Sequence, residues 1–141
     1  MRVLGKPQIM LLFLLCYVSA GYAKDSLETG VKAFEEGDYR TSLQNWLPLA
    51  EANHAEAQLF MGVLYRYGLA VEKNPQQSAY WYRRAAENGD VDAQNELGFF
   101  YELGWGVKQD IWQAESWYEQ VREQDICLSD TLATGRLVLD E

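Results

Sequence analysis

Between residues 91 and 101 the apolar and small positions fall at Ala93, Leu97, Gly98 and Tyr101. This i, i+4, i+5, i+8 spacing puts them on one face of a helix. Asp90 stands just before that run as an N-cap, and Leu103-Gly104-Trp105-Gly106 ends it, since glycine takes the left-handed turn after a last helical residue. Asp110 then caps a second helix from 111 to about 122, rich in large rings at Trp112, Trp117 and Tyr118. Upstream, Asn74 and Pro75 open a helix that runs through Trp81 and Tyr82 to Asn88, where Gly89 closes it. Earlier still, Asp25 and Glu28 form a capping-box pattern for a helix over 26–36, which Gly37 closes. Asp38 caps the next, over 39–52, with Leu43, Trp46, Leu47 and Ala50 on one face and Pro48 expected to kink it or remove one backbone bond. A last amphipathic helix is expected over 130–139, with Leu132, Ala133, Arg136 and Leu137.

The same pattern occurs twice, 36 residues apart. Ala57, Gln58, Gly62, Tyr65, Gly68, Val71, Trp81 and Tyr82 recur as Ala93, Gln94, Gly98, Tyr101, Gly104, Val107, Trp117 and Tyr118. Asn74 is matched by Asp110, and Trp46 lies one period before Tyr82. A fixed period in this range marks a stacked repeat array. Gly62 and Gly98 sit mid-helix, where glycine costs about 1 kcal/mol relative to alanine. A penalty repeated at one register implies that a partner helix must come close there. Ala57, Ala85, Ala86 and Ala93 would serve the same purpose, and the rings of Tyr65, Tyr101, Trp81, Tyr82, Trp117 and Tyr118 would fill the space between hairpins.

The first 23 residues have another character. Arg2 and Lys6 precede a short apolar run over 9–18, and Gly21 and Ala23 occupy the −3 and −1 positions of a cut before Lys24. That order reads as a secretory signal, too short in its apolar part to span a bilayer, with an uncleaved anchor as the competing reading. Phe13 and the placement of the small residues argue against Cys16 as a lipoprotein cysteine. A cut after Ala23 leaves 118 of the 141 residues, enough for one domain with a core of its own. Only Cys127 then remains, so no internal disulfide forms; its neighbours Ile126 and Leu128 favour burial over an intermolecular bond. One Cys and one His are too few for a metal site. The cut also removes two of the twelve basic residues and none of the 21 acidic ones, taking the net charge from −9 to −11. That excess of acid opposes nucleic acid and anionic lipid; it reads first as simple solubility and also permits a basic partner.

No catalytic constellation emerges. Ser42, Ser78 and Ser116 are not followed by the S-x-x-K lysine, and no G-x-S-x-G occurs. A nucleophile pair would need His54, which falls in a short turn and reads as a solvated turn residue. Gly104-Trp105-Gly106 joins two helices rather than a strand and a helix, a poor phosphate cradle. Acidic pairs such as Glu35 and Glu36 read as surface charge. No cofactor is called for.

The segments AEAQLFMGVLYRYGLAVEKNPQQSAYWYRRAAENGD and VDAQNELGFFYELGWGVKQDIWQAESWYEQV resemble two Sel1-like repeats. The family pattern runs A-x-A-Q, then L-G-x-x-Y-x-x-G-x-G-V, then D, A and W-Y, and Met61 and Ala70 depart from it in the first copy. The segment before them, AFEEGDYRTSLQNWLPLAEANHAEAQ, is similar to a tetratricopeptide-like hairpin. In the second copy Val121, Arg122 and Asp125 replace the closing A-A-x-x-G, which suggests that the array stops there. The resemblance implies an all-α chain, a short right-handed α-solenoid of antiparallel helix hairpins. Its parts are a signal peptide (1–23), an N-terminal hairpin (24–54), repeats over 55–90 and 91–126, and a capping segment (127–141). It also implies a non-enzymatic adaptor or scaffold, periplasmic or secreted.

In a solenoid the first helix of each hairpin lines the concave side. The positions off its packing face are Glu56, Leu59, Phe60, Val63 and Arg66 in one copy and Asp92, Asn95, Glu96, Phe99 and Glu102 in the other. Phe60, Val63, Arg66, Asn95, Phe99, Glu102 and the loop residue Trp105 are the candidate contacts for a protein or peptide partner. Core burial of Phe60 and Phe99 is the competing reading. An immunity or regulatory protein blocking an exported toxin or enzyme is an alternative role. An envelope enzyme or cell-wall fragment binder would need a convergent polar pocket. Self-association through the repeat ends or Cys127 is a further alternative.

Overall fold

The computed structural model describes residues 6–134, with side chains described over 21–126. Six helices follow one another: α1 (Lys6–Glu35), α2 (Tyr39–Glu51), α3 (Ala55–Tyr67), α4 (Pro75–Glu87), α5 (Val91–Leu103) and α6 (Ile111–Thr134). Among the described residues there is no strand. Each helix packs chiefly on the next, so the hairpins α1–α2, α3–α4 and α5–α6 stack in chain order into an α-helical solenoid.

The polar residues read as starts do start helices. The Asp38, Asn74, Asp90 and Asp110 carboxylate or amide oxygens accept from the backbone N–H of Thr41, Gln77, Ala93 and Gln113 at 3.2, 3.0, 2.8 and 3.1 Å. Gly68 and Gly104 end α3 and α5 in the left-handed conformation. The ends of the chain differ from expectation. Asp25 and Glu28 open nothing, because α1 runs continuously through them and through the expected cut between Ala23 and Lys24. The capping box supplies a start only where the chain must change direction, and here helical hydrogen bonding continues upstream. Likewise α6 does not stop near Arg122 but continues to Thr134, so the expected capping helix is no separate element up to that residue; residues 135–139 of it, and the side chain of Cys127, lie outside the described residues. The helix α2 runs through Pro48, whose ring is exposed.

A close approach at one glycine per hairpin sets the stack. A Cβ on Gly62 would lie 2.5 Å from Tyr82 ring carbons, and one on Gly98 2.6 Å from the Tyr118 ring. The first hairpin repeats the device with Gly30, whose Cβ would lie 2.2 Å from the Trp46 indole. The offset there is 16 residues rather than 20. The α1–α2 connection (36–38) is four residues shorter than the α3–α4 (68–74) and α5–α6 (104–110) loops. Ser42 and Ser78 hydroxyls donate to the Gly30 and Gly62 carbonyls at 3.0 and 2.8 Å, repeating the same joint.

Glutamine sets the joint between hairpins. The buried Gln58 and Gln94 side chains donate to the Ala50 and Ala86 carbonyls at 3.0 and 3.2 Å. Their own oxygens accept from Asn88 at 2.8 Å and from Gln124 at 3.3 Å. Around these joints lie two apolar clusters. Trp46, Leu49, Met61, Leu64 and Trp81 form the first, and Tyr82, Ala86, Leu97 and Phe100 the second.

Candidate functional site

The helices α3 and α5 are the first members of successive hairpins, and an open groove of about 510 Å³ runs between them. Its walls are Leu59, Phe60, Val63 and Arg66 from α3 and Asp92, Asn95, Glu96 and Phe99 from α5, with Tyr82 of α4 at its floor. Five of the seven expected contact residues meet here: Phe60, Val63, Arg66, Asn95 and Phe99. A second, apolar hollow shares Arg66 and Phe99 and extends the groove past Leu103 and Gly104 to Trp105. Glu102 is placed elsewhere. It accepts the Tyr118 hydroxyl at 3.0 Å, tying α5 to α6.

The two phenylalanines differ in their surroundings. Phe60 is half-buried and stacks on Trp46 with ring centroids 4.3 Å apart. Phe99 is 37% exposed, and its neighbour Phe100 takes the core position instead, edge-on to Tyr82 at 5.4 Å. Trp105 is half-buried and packs on Phe100 at 4.9 Å.

Arg66 organises the centre. Its guanidinium pairs with Glu96 of the next repeat. Its carbon lies 5.4 Å from the Tyr67 ring, 5.8 Å from Phe99, 5.8 Å from Phe100 and 5.5 Å from Trp105. Planar, weakly hydrated guanidinium suits such ring faces better than an ammonium would. Burial disfavours its charge, but the polar contact with Tyr82 and the charge of Glu96 outweigh that, so its proton is held more tightly than usual. Tyr82, only 1% exposed, has its phenol pushed up to about 12, first by burial and then by the negative charge of Glu96, with Arg66 opposing.

Asp92 and Asn95 make no side-chain hydrogen bond or ion pair among the described residues, and both are exposed on the rim. The sequence pattern did not single out Tyr82 as part of this site, because its recurrence with Tyr118 reads as packing alone. His54 is half-buried at the N-cap of α3, with a buried Nδ1 that has no hydrogen-bond partner, rather than a solvated turn residue. Its backbone N–H donates to the Leu49 carbonyl at 3.0 Å, which holds the turn against the end of α2. Among the described residues no group of three or more His, Cys, Asp or Glu side chains converges as a metal site would require.

The Sel1 repeat family model matches residues 55–90 and 91–125. A Sel1 repeat protein from Oxalobacter formigenes is 34% identical over 71% of this chain, with a TM-score of 0.66. A protective antigen present in uropathogenic Escherichia coli strains, c5321, which displays an SLR fold, is 28% identical over 75% of the chain with a TM-score of 0.70. The chain spans 40% of the first of these proteins and 24% of the second. Helicobacter pylori cysteine rich protein B shares the fold, with a TM-score of 0.57 at 24% identity over 72% of this chain and 86% of its own. No curated protein matches. Two tandem repeats covering half the sequence, joined by the glycine and glutamine contacts described above, show that the chain belongs to the Sel1 repeat family.

Proposed function

We propose that the protein is a periplasmic adaptor that holds a polypeptide partner in the groove between α3 and α5. Sel1 repeat proteins are in general protein–protein interaction modules, which supplies the class of function. The observation that carries the site is the exposed ring of Phe99 at the junction of two adjoining apolar hollows. Exposed apolar side chains clustered in a concavity, with charge at the rim, are what interface anchors require. The order of charge, apolar run and small residues expected of an export signal over 1–23 supports the location.

Crosslinking capture tests this reading, with the tagged full chain expressed in its source cell. A single stoichiometric protein recovered from the envelope, and lost with Phe99→Ala while the fold persists, is the expected result. A partner retained in full by Phe99→Ala moves the site elsewhere.

A further inference from the structure

The chemistry of that partner is legible in how the groove distributes charge, given the reading above that the groove is the site. Among the described residues that line it, Arg66 is the one cation, and it is already engaged. Glu96 neutralises it, Tyr82 touches it from below, and four rings surround it at 5.4–5.8 Å. A carboxylate on an incoming chain would have to break this pair and leave Glu96 half-buried without its counter-ion, which is costly. The Asp92 carboxylate on the rim is in the opposite state, exposed and unpaired. Beside it Asn95 is unengaged, and Leu59, Val63 and Phe99 present apolar surface. The whole chain adds a field of the same sign, with a formal charge of −9.

We infer that the groove takes a basic apolar segment of a protein: a large apolar side chain seated on Val63 and Phe99, flanked by a Lys or Arg that meets Asp92. An acidic segment or a chain terminus presenting its carboxylate is rejected, because the one groove cation is spent on Glu96. A second copy of this chain is disfavoured as occupant, since it carries the same excess of acid. Complementary charge of this kind acts on selectivity and encounter rate, and it is weakened by salt.

Two synthetic peptides test the inference against the isotope-labelled full chain by NMR titration: acetyl-Lys-Trp-Leu-Lys-Trp-Leu-amide and the same peptide with Glu in place of Lys. The Lys peptide should shift the amide signals of Val63, Asn95 and Phe99 and bind at least tenfold more tightly than the Glu peptide. Raising the salt should shrink that preference. Asp92→Asn should cut it to threefold or less without weakening the Glu peptide. Equal binding of both peptides, each weakened by Phe99→Ala, overturns the charge assignment and leaves the groove standing. Shifts from neither peptide at the groove overturn both the inference and the groove. A homodimer dissolved by Phe99→Ala overturns the choice of occupant.

Discussion

The repeats over 55–90 and 91–125 share a skeleton and differ on one face. What recurs is joinery: Gly62 under Tyr82 and Gly98 under Tyr118, Gln58 on Ala50 and Gln94 on Ala86. What changes is the groove wall. Leu59 becomes Asn95, Phe60 becomes Glu96 and Val63 becomes Phe99, while the counterpart of Arg66 is Glu102, which leaves the groove for Tyr118. Packing positions are held by a geometry that repeats, whereas groove positions are outside that packing and vary. The difference thus separates scaffold from surface within a single chain.

The loops make the same point. Gly106 has φ +69, and a Cβ there would lie 2.1 Å from the Pro75 carbonyl oxygen, because this loop presses on the start of α4. Its counterpart Ala70 adopts φ +58 and is exposed. The glycine in the second copy is thus required by contact as well as by the left-handed backbone, where a side chain costs about 1–2 kcal/mol.

The largest expected break in the comparison is at the helix crossings. In Gly62→Ala the new methyl meets the Tyr82 ring, which is buried and cannot swing away, so a loss of about 3 kcal/mol is expected. In Gly98→Ala the Tyr118 ring is only half-buried and can move outward. The helix-propensity gain of about 1 kcal/mol then offsets most of the strain. Thermal melts of the two variants should differ clearly. Equal shifts would show that ring burial is not what makes the crossing rigid.

A smaller contrast lies in the glutamines. Gln58 donates to Ala50 and Asn53 and accepts from Asn88, whereas Gln94 has one backbone acceptor and the longer contact to Gln124. Gln58→Leu should cost about 2 kcal/mol and Gln94→Leu about 1 kcal/mol in denaturant unfolding. The reverse order would place the stronger joint at the C-terminal hairpin.

The smallest effect is one of pH. Both recurring tyrosines have phenols pushed up to about 12: Tyr82 chiefly by burial, Tyr118 by burial and then its bond to Glu102. In the unfolded chain each ionises near the ordinary 10, so between about 10 and 12 the unfolded state sheds protons that the folded state keeps. Stability is therefore intact below pH 10 and falls as pH rises through that window. Tyr82→Phe should cost about 1 kcal/mol at neutral pH, from the lost contact with Arg66. It should also flatten the alkaline decline measured by unfolding at pH 9 and pH 11. A decline unchanged in Tyr82→Phe would assign the titration to other groups.

The residues themselves determined the helix hairpins, the caps at Asp38, Asn74, Asp90 and Asp110, the 36-residue repeat and the family. These features rest on local chemistry, such as Asn74 before Pro75, or on spacing along the chain, such as Gly62 to Gly98. Most of the groove wall was legible too, because a helix whose packing face is known has a known opposite face. The tertiary structure alone decided the rest. Only the stack shows that Phe100 rather than Phe99 enters the core, since adjacent phenylalanines on a helix differ by a rotation that the neighbouring hairpin settles. Only the stack brings Glu96 onto Arg66 from 30 residues away, which pairs the groove's cation within the protein. Gly30 falls outside the repeat register because its offset from Trp46 follows a shorter loop, and its need to be glycine arises from an indole that approaches it across the hairpin. Pattern along a chain records which face is buried; the charge and shape of the opposite face depend on which residues other helices bring beside it.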